Sequence, residues 1–279
     1  MTPSHPLPGV LLIGCGRMGG ALLSAWRGGW RELYVLDPNA PTQDGAAALS
    51  RAADIAGLPR PLIVVLAVKP AMVESVGRDI APFCGPGVIG VSIAAGISLD
   101  SLSRALSPMA DIVRAMPNTA VHAKAGATAL IGAKSASDQA VEACAQLFGA
   151  AGQVVRLDRE DQMDAATAVS GSGPAYFFAF TEALARAGIG LGLSPDVAEA
   201  LARQTLVGAG ALAAAREASL AELRIEVTSP GGTTAAALDR FAAGDDLPNL
   251  VARAVGAAAT RSAQLGVAPP STQVQDQRP

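Results

Sequence analysis

The segment Val-Thr-Ser-Pro-Gly-Gly-Thr-Thr at residues 227–234 combines residue types that suit anion binding. Proline fixes one backbone angle, the paired glycines remove side-chain bulk, and the threonines lead into the helical pattern of residues 235–238. The run predicts a helix N-terminus with exposed amides, which favours a small anion such as a carboxylate. Conventional acid-base side chains are scarce around it, because no lysine follows Lys134 and no histidine follows His122.

A second chemical motif, G-x-G-x-x-G, lies near the start of the chain. Gly14, Gly16 and Gly19 directly follow an apolar run and precede a helical stretch. In that context Gly14 permits a tight turn, Gly16 lets a pyrophosphate approach the backbone, and Gly19 lets helix and strand pack closely. The loop, which includes Arg17 and Met18, therefore predicts a dinucleotide site at a helix N-terminus.

Asp37 ends the second predicted strand, where an acidic residue can accept hydrogen bonds from an adenosine ribose. That role favours NADH over NADPH. The sequence Asp37-Pro38-Asn39 is also compatible with a turn in which Asp37 only caps, and Arg17 could meet an extra phosphate. Both alternatives stay open at this point.

Further cofactor candidates follow later predicted strands, where loops border the ligand crevice of an open α/β sheet. They are Ala67, Val68, Lys69 and Pro70 after the third strand, residues 92–96 after the fourth, and Asn118 after the fifth. Lys69 is expected either at the nicotinamide ribose or in solvent. Asn118 is expected to bind the nicotinamide or a loop carbonyl.

The elements that position these residues change in character along the chain. Short apolar runs alternate with helical stretches first, which is typical of βαβ units and a mainly parallel sheet. The predicted strands are residues 10–13, 33–36, 62–67, 88–92, 112–115, 127–131 and 153–156. Ala-rich and Leu-rich segments follow, and they predict four or more helices and no strand. The expected architecture is α/β: a Rossmann-type doubly wound domain at 1–160, a helical dimerisation and substrate domain at 161–267, and a disordered tail at 268–279.

The amino-acid composition limits the classes of molecule that the protein is expected to bind. The chain has 279 residues, 50% of them hydrophobic, a net charge of -3 and only 4% aromatic residues, which argues against nucleic-acid binding and favours a small-molecule substrate. Three cysteines without a C-x-x-C pair predict neither a disulfide framework nor a metal site, and they fit a cytoplasmic protein. The uncharged stretch 80–99 contains too many prolines and glycines for a membrane helix.

The scarcity of acid-base groups bears on the reaction. A nicotinamide site implies hydride transfer, and reduction of a carbonyl needs a proton donor against the developing alkoxide. Tyr176 is the sole tyrosine of the helical half, and its neighbours Phe177, Phe178 and Phe180 favour packing over catalysis. A protonated imine already carries the positive charge that hydride neutralises, so it needs positioning more than acid-base machinery.

The motifs GCGRMG, AVKP, RAMPNT, SGSGPAYFF and LRIEVTSPGGTT occur in an order that resembles the pyrroline-5-carboxylate reductase family over nearly the whole chain. The resemblance implies reduction of 1-pyrroline-5-carboxylate to L-proline with NADPH or NADH, the last step of proline biosynthesis. It also implies a homodimer with interlocking helical domains, and a larger ring of dimers.

The resemblance further implies substrate-binding roles for residues near the Ser-Pro-Gly-Gly segment. Thr234 would hydrogen-bond the ring nitrogen, the amides around it would hold the carboxylate, and Glu217 would steady the loop. The substrate-binding set is Ser229, Gly231, Gly232, Thr233, Thr234 and Glu217. Without the resemblance, Thr234 is an ordinary first-turn threonine and Glu217 a solvated helix end. Asp37 stands where many members of the family carry Ser, Arg or Asn, which places an NADPH preference in doubt.

Two other functions compete with this one. Another two-domain dehydrogenase, of the β-hydroxyacid type, would share the cofactor half, but those enzymes use a lysine from the helical domain, and none follows Lys134. A protein that binds NAD(P)H without turnover is the other alternative.

Overall fold

A computed structural model describes residues 8–30, 32–39 and 45–267. The backbone forms two compact units. Of the described residues, those up to 171 and those at 258–267 belong to the first unit, and residues 172–257 form the helical unit. The predicted domain limits at residues 160 and 267 remain predictions, and the predicted tail lies outside the described residues.

An eight-stranded sheet in the order β3-β2-β1-β4-β5-β6-β7-β8 forms the centre of the first unit. Its strands are β1 (Gly9–Ile13), β2 (Leu33–Leu36), β3 (Ala47–Ala48), β4 (Leu62–Leu66), β5 (Val88–Ser92), β6 (Asp111–Pro117), β7 (Gly126–Gly132) and β8 (Gly152–Arg156). All seven predicted strands are confirmed. Neighbouring strands pair in parallel except β6 with β7, so the prediction of a mainly parallel sheet is also confirmed.

Successive side chains of each central strand point to opposite faces of the sheet, and each face has its own hydrophobic core. Val10 and Leu12 belong to one core cluster, whereas Leu11 and Ile13 belong to the other. Helices α1 (Arg17–Trp26) and α4 (Asp138–Gly149) cover the first face, and α2 (Val73–Ile80) and α3 (Leu99–Ala105) cover the second. Burial on both faces explains why these strands are continuous apolar runs. The sheet is therefore doubly wound, as the sequence predicts.

Helices dominate the chain after β8. They are α5 (Met163–Ala166), a π-helical turn (Thr167–Gly171), α6 (Gly173–Gly190), α7 (Pro195–Ala215), α8 (Leu220–Glu226), α9 (Thr233–Ala242) and α10 (Asp246–Val267). No strand follows β8 among the residues that the structure describes, as predicted. Ser194 is the N-cap of α7 but its side chain makes no capping hydrogen bond, whereas Pro195 occupies the first helical position.

The helical unit leaves many apolar side chains uncovered. Within it, α6 packs against α7, and the rings of Phe180 and Phe241 meet edge to face with their centroids 6.1 Å apart. Phe177, Phe178 and Leu191 remain exposed on α6 or at its end.

In the described part of the chain, no helix is both long and apolar enough to cross a membrane.

Candidate active site

The loop between β1 and α1 is too tight for side chains at two of its three motif glycines. Gly14 has a φ of +89°, and a Cβ on it would lie 2.8 Å from the carbonyl oxygen of Ala67. A Cβ on Gly19 would lie 2.2 Å from the carbonyl oxygen of Gly14. Gly14 therefore makes the turn, and Gly19 lets α1 pack against the end of β1.

Gly16 differs because the space around it is open. A Cβ there would meet nothing within 4 Å, and Gly16 is the N-cap of α1 without any side-chain capping bond. The first amides of α1, beginning at Arg17, have no acceptor inside the helix and lie at its positive end. Arg17 is exposed, and Met18 is half-buried against the core. This geometry suits a pyrophosphate on the backbone at Gly16.

Asp37 performs the capping role that the sequence left open. Its Oδ1 accepts from the amide of Asn39 at 2.8 Å, which closes the turn. Its Oδ2 accepts from the amide of Cys15 at 2.6 Å, so the same carboxylate also holds the glycine loop. Each oxygen keeps a further lone pair, so a ribose contact is chemically compatible with both bonds.

The Cys15 thiol lies half-buried in the glycine loop. Burial raises its pKa, and the negative charge of Asp37 raises it further. The thiol therefore stays protonated near neutral pH and contributes no nucleophile to this loop.

The loop after β4 adjoins the glycine loop. The amide of Ala67 donates to the carbonyl of Ile13 at 2.8 Å, which extends the β1–β4 pairing to the strand ends. Val68 is half-buried, and Pro70 starts a short 3-10 turn. Lys69 is exposed and has no ion-pair partner among the described residues, so its ammonium group is available to a ligand.

Asn118 is 8% exposed, and its side chain makes three hydrogen bonds. Its Oδ1 accepts from the amides of Ala120 and Ala127, both at 3.2 Å. Its Nδ2 donates to the carbonyl of Ser170 at 2.9 Å. Of the two expected partners, the structure supplies the loop carbonyl, and that carbonyl lies in the π-helical turn just before the helical unit.

A buried ion pair was not predicted from the sequence. Arg114, in the middle of β6, is 7% exposed, and its Nη1 donates to Glu160 Oε1 at 3.0 Å. The same oxygen accepts from the amide of Leu99 at 2.6 Å, at the first residue of α3. An arginine inside an otherwise apolar strand was the available signal, because a buried charge requires a partner.

The Ser-Pro-Gly-Gly segment of the helical unit forms a type II turn. The carbonyl of Ser229 accepts from the amide of Gly232 at 3.0 Å, and Gly231 has a φ of +67°. Pro230 occupies the first central position, where its fixed φ is suitable, and glycine occupies the second, which requires a positive φ. The two adjacent glycines thus have different functions, since Gly232 leaves the turn and becomes the N-cap of α9.

The start of α9 presents amides without acceptors. The first helical bond runs from the amide of Ala236 to the carbonyl of Gly232 at 3.2 Å, and no side chain caps the helix. The amides of Thr233, Thr234 and Ala235 therefore have no partner within the helix. Thr234 is half-buried and adds a hydroxyl group beside them. This arrangement can bind a carboxylate and offer one hydrogen bond to a neighbouring polar atom.

The approach to this turn is braced by Arg216. Its guanidinium forms a two-bond pair with Glu226, from Nη1 to Oε2 at 2.6 Å and from Nη2 to Oε1 at 2.9 Å. Ser219 and Glu222 form a reciprocal capping box at the start of α8. Glu217 is exposed and forms no hydrogen bond with another described residue, so its predicted contact with the loop stays a prediction. In this structure Arg216 and Glu226 brace the segment.

The two units thus hold complementary chemistry. The first unit contains a dinucleotide cradle, and the helical unit contains an anion site with a threonine hydroxyl. No lysine or histidine occurs in residues 172–257. The hydroxyl oxygen of Tyr176 is buried and has no hydrogen-bond partner among the described residues. The helical unit by itself can therefore hold a small anion, but it lacks a lysine or histidine that could act as proton donor to a carbonyl.

Comparisons with known proteins agree with these features. The family model described as pyrroline-5-carboxylate reductase dimerisation matches residues 160–265. Pyrroline-5-carboxylate reductase of Pseudomonas aeruginosa is 40% identical over 266 residues, which cover 92% of this chain and 97% of that protein.

Two solved structures are similar in fold and sequence. A pyrroline-5-carboxylate reductase from Coxiella burnetii has a TM-score of 0.86 and 31% identity, covering 93% of this chain and 99% of the other. The pyrroline carboxylate reductase of Plasmodium falciparum, solved with NADP bound, has a TM-score of 0.77 and 28% identity, covering 93% and 98%. The predicted resemblance is confirmed, and the chain belongs to the pyrroline-5-carboxylate reductase family, NAD(P)H-dependent oxidoreductases that reduce 1-pyrroline-5-carboxylate to proline.

Proposed function

We propose that this chain reduces 1-pyrroline-5-carboxylate to L-proline by hydride transfer from NAD(P)H. The observation that carries the proposal is the start of α9, where a type II turn leaves three amides and the Thr234 hydroxyl available to a small anionic ring. The absence of lysine and histidine from residues 172–257 supports an imine substrate over a carbonyl substrate.

In the proposed cofactor site, the backbone at Gly14, Gly16 and Gly19 receives the pyrophosphate on the first turn of α1. Arg17 and Met18 flank the phosphates, and Asp37 faces the adenosine ribose. Ala67, Val68, Lys69 and Pro70 border the nicotinamide ribose, where the free ammonium of Lys69 supplies a donor. Asn118 acts through the Ser170 carbonyl that it holds, and so shapes the crevice rather than touching the cofactor.

In the proposed substrate site, the amides that follow Gly231 and Gly232 bind the ring carboxylate. The Thr234 hydroxyl hydrogen-bonds the ring nitrogen, and Ser229 and Thr233 complete the wall. Glu217 is the loop contact carried over from the family, beside the brace that Arg216 forms.

The proposed reaction requires no side chain of the protein to act as a base. NAD(P)H bound by these residues would supply a hydride to the imine carbon of the protonated ring, so that the C=N bond would become a C–N bond. The positive charge of the ring nitrogen would pass to the oxidised cofactor, so no oxyanion would need stabilising. The amine of proline then takes a proton from water. The protein's contribution is orientation, exclusion of water and the hydrogen bond from Thr234.

Both nicotinamide cofactors fit the family, and Asp37 favours NADH for this chain. A carboxylate at the ribose accepts hydrogen bonds from free hydroxyls and repels a 2′-phosphate. Arg17 would have the opposite effect, because its exposed positive charge at the start of α1 would attract a 2′-phosphate.

The assembly that we propose is a homodimer or a larger oligomer through the dimerisation region, and more specifically a ring of dimers. The location that we propose is the cytoplasm, supported by free thiols at Cys15, Cys84 and Cys144. The domain division that we propose is a dinucleotide domain at 1–160 and a helical domain at 161–267.

The test is an assay of the purified chain with 1-pyrroline-5-carboxylate and each cofactor. We expect oxidation of NADH and NADPH with formation of one proline per cofactor, and a higher kcat/KM for NADH. Turnover of a 2-hydroxy or 3-hydroxy acid instead would favour the rival dehydrogenase. Cofactor binding without any turnover would favour a nucleotide-binding protein that is not an enzyme. A clear preference for NADPH would refute the ribose role of Asp37.

A further inference from the structure

The loop of residues 92–96 follows β5 at the carboxyl edge of the sheet. The amide of Ile93 donates to the carbonyl of Leu66 at 3.1 Å, which ties the loop to the end of β4. The amide of Ala94 donates to the buried hydroxyl of Ser92 at 3.2 Å. Gly96 ends the loop with a φ of +75°, a conformation that side chains disfavour. The loop thus has one well-defined shape beside the strand ends that border a cofactor crevice.

The end of α10 returns to the first unit and touches this loop. A Cβ on Gly96 would lie 2.8 Å from the amide nitrogen of Gly266, and a Cβ on Gly266 would lie 2.8 Å from the carbonyl oxygen of Gly96. The two backbones approach this closely only because neither residue carries a side chain. The conformation of the loop is therefore coupled directly to the position of the helix end.

A second contact holds the same part of α10. Ser262 is 5% exposed, and its Oγ donates to Asp164 Oδ1 at 2.7 Å. Asp164 lies on α5, where the neighbouring Met163 is buried in the core. The helix end is thus fixed to the first unit at two places.

We propose that the end of α10, residues 258–267, is a positioning element for the nicotinamide end of the cofactor crevice, acting through the Gly96–Gly266 contact on the loop after β5. The proposal rests on the proposed function only in that the crevice binds NAD(P)H. Residues 258–267 touch no reacting atom in this role. They act by fixing the loop, so their substitution should change cofactor affinity and turnover rather than the free energy of unfolding.

The test inserts one methyl group at the contact. Gly266→Ala is compared with Gly149→Ala, a helical position of the first unit where a Cβ meets nothing within 4 Å. The readouts are the Kd for NADH and NADPH from nicotinamide fluorescence without substrate, then KM, kcat and Tm of the full chain. We expect Gly266→Ala to raise the cofactor Kd by roughly threefold to tenfold and to lower kcat, because small misplacements cost rate steeply. Gly149→Ala should match the wild type.

A second pair of variants weakens the helix anchor without adding bulk. Asp164→Ala removes the acceptor for Ser262, whereas Asp164→Asn keeps an oxygen in the same position. We expect the alanine variant to raise the cofactor Kd and the asparagine variant to restore it. The proposal is overturned if both Gly266→Ala and Asp164→Ala bind cofactor like the wild type, or if their losses only follow the unfolded fraction. Because binding is measured without substrate, a chain that binds NAD(P)H but forms no proline would refute the proposed function separately.

Discussion

Thr234 combines two roles at one position. It is the second residue of α9, so its amide belongs to the anion site, and its hydroxyl has no hydrogen-bond partner among the described residues. Thr228, a few residues earlier, differs because its hydroxyl donates to the carbonyl of Arg224 at 2.6 Å. A bonded hydroxyl serves its own helix, whereas an unbonded one beside free amides can serve a ligand.

Thr234→Ala should therefore lower kcat/KM for 1-pyrroline-5-carboxylate with little effect on folding. If the hydrogen bond strengthens during hydride transfer, the loss is about 2–4 kcal/mol of transition-state stabilisation. Steady-state kinetics at saturating cofactor measure it, with Tm as the check on folding. Thr234→Ser should retain most activity, and Thr228→Ala serves as the matched control. Wild-type kinetics in Thr234→Ala would leave Thr234 as a simple first-turn residue.

Among the elements, the turn before α9 requires a positive φ at one central residue. Gly231 has a φ of +67°, and a Cβ added there would meet nothing within 4 Å, so a substitution changes backbone preference without a clash. Holding a residue such as alanine in that region costs about 1–2 kcal/mol, whereas asparagine tolerates it better. The turn sets where the first amides of α9 point.

Substitutions at Gly231 should consequently rank by their tolerance of a positive φ. We expect KM for 1-pyrroline-5-carboxylate to rise in the order glycine, asparagine, alanine, valine, with KM for the cofactor nearly constant. Kinetics of the three variants measure this order. Equal KM values for all three would mean that the turn does not orient the carboxylate site.

Features that depend on local sequence could be predicted, whereas contacts between residues far apart in the sequence could not. Buried strands such as β1 and β4 are predictable because burial on both faces demands continuous apolar runs. The strand β3 was missed because two alanines carry no periodic signal. The glycine loop was predictable because its G-x-G-x-x-G spacing directly follows an apolar strand and precedes a helix. The Arg114–Glu160 pair and the Gly96–Gly266 contact join distant parts of the chain, and no local pattern encodes such partners.

At the scale of the whole molecule, the helical unit has too much apolar surface for a monomer. Phe177, Phe178 and Leu191 are 62%, 64% and 89% exposed, and further leucines and valines are uncovered on α7. So many exposed large apolar side chains in one unit indicate a protein interface. The family model for dimerisation matches residues 160–265, which include the helical unit, so the chain forms a homodimer or a larger oligomer.

Phe178→Asp should weaken this assembly. Each subunit of a symmetric pair would lose one buried ring, worth about 1.5–3 kcal/mol, and would bury a carboxylate instead. The dissociation constant should rise by on the order of 100-fold or more, since 1.4 kcal/mol is tenfold in affinity. Light scattering over a dilution series measures the mass, and Gln139→Asp, at an exposed position of α4 in the first unit, adds the same charge as a control. A wild-type mass above that of a dimer would support the ring of dimers. An unchanged mass in Phe178→Asp at every concentration would remove this face of α6 from the interface.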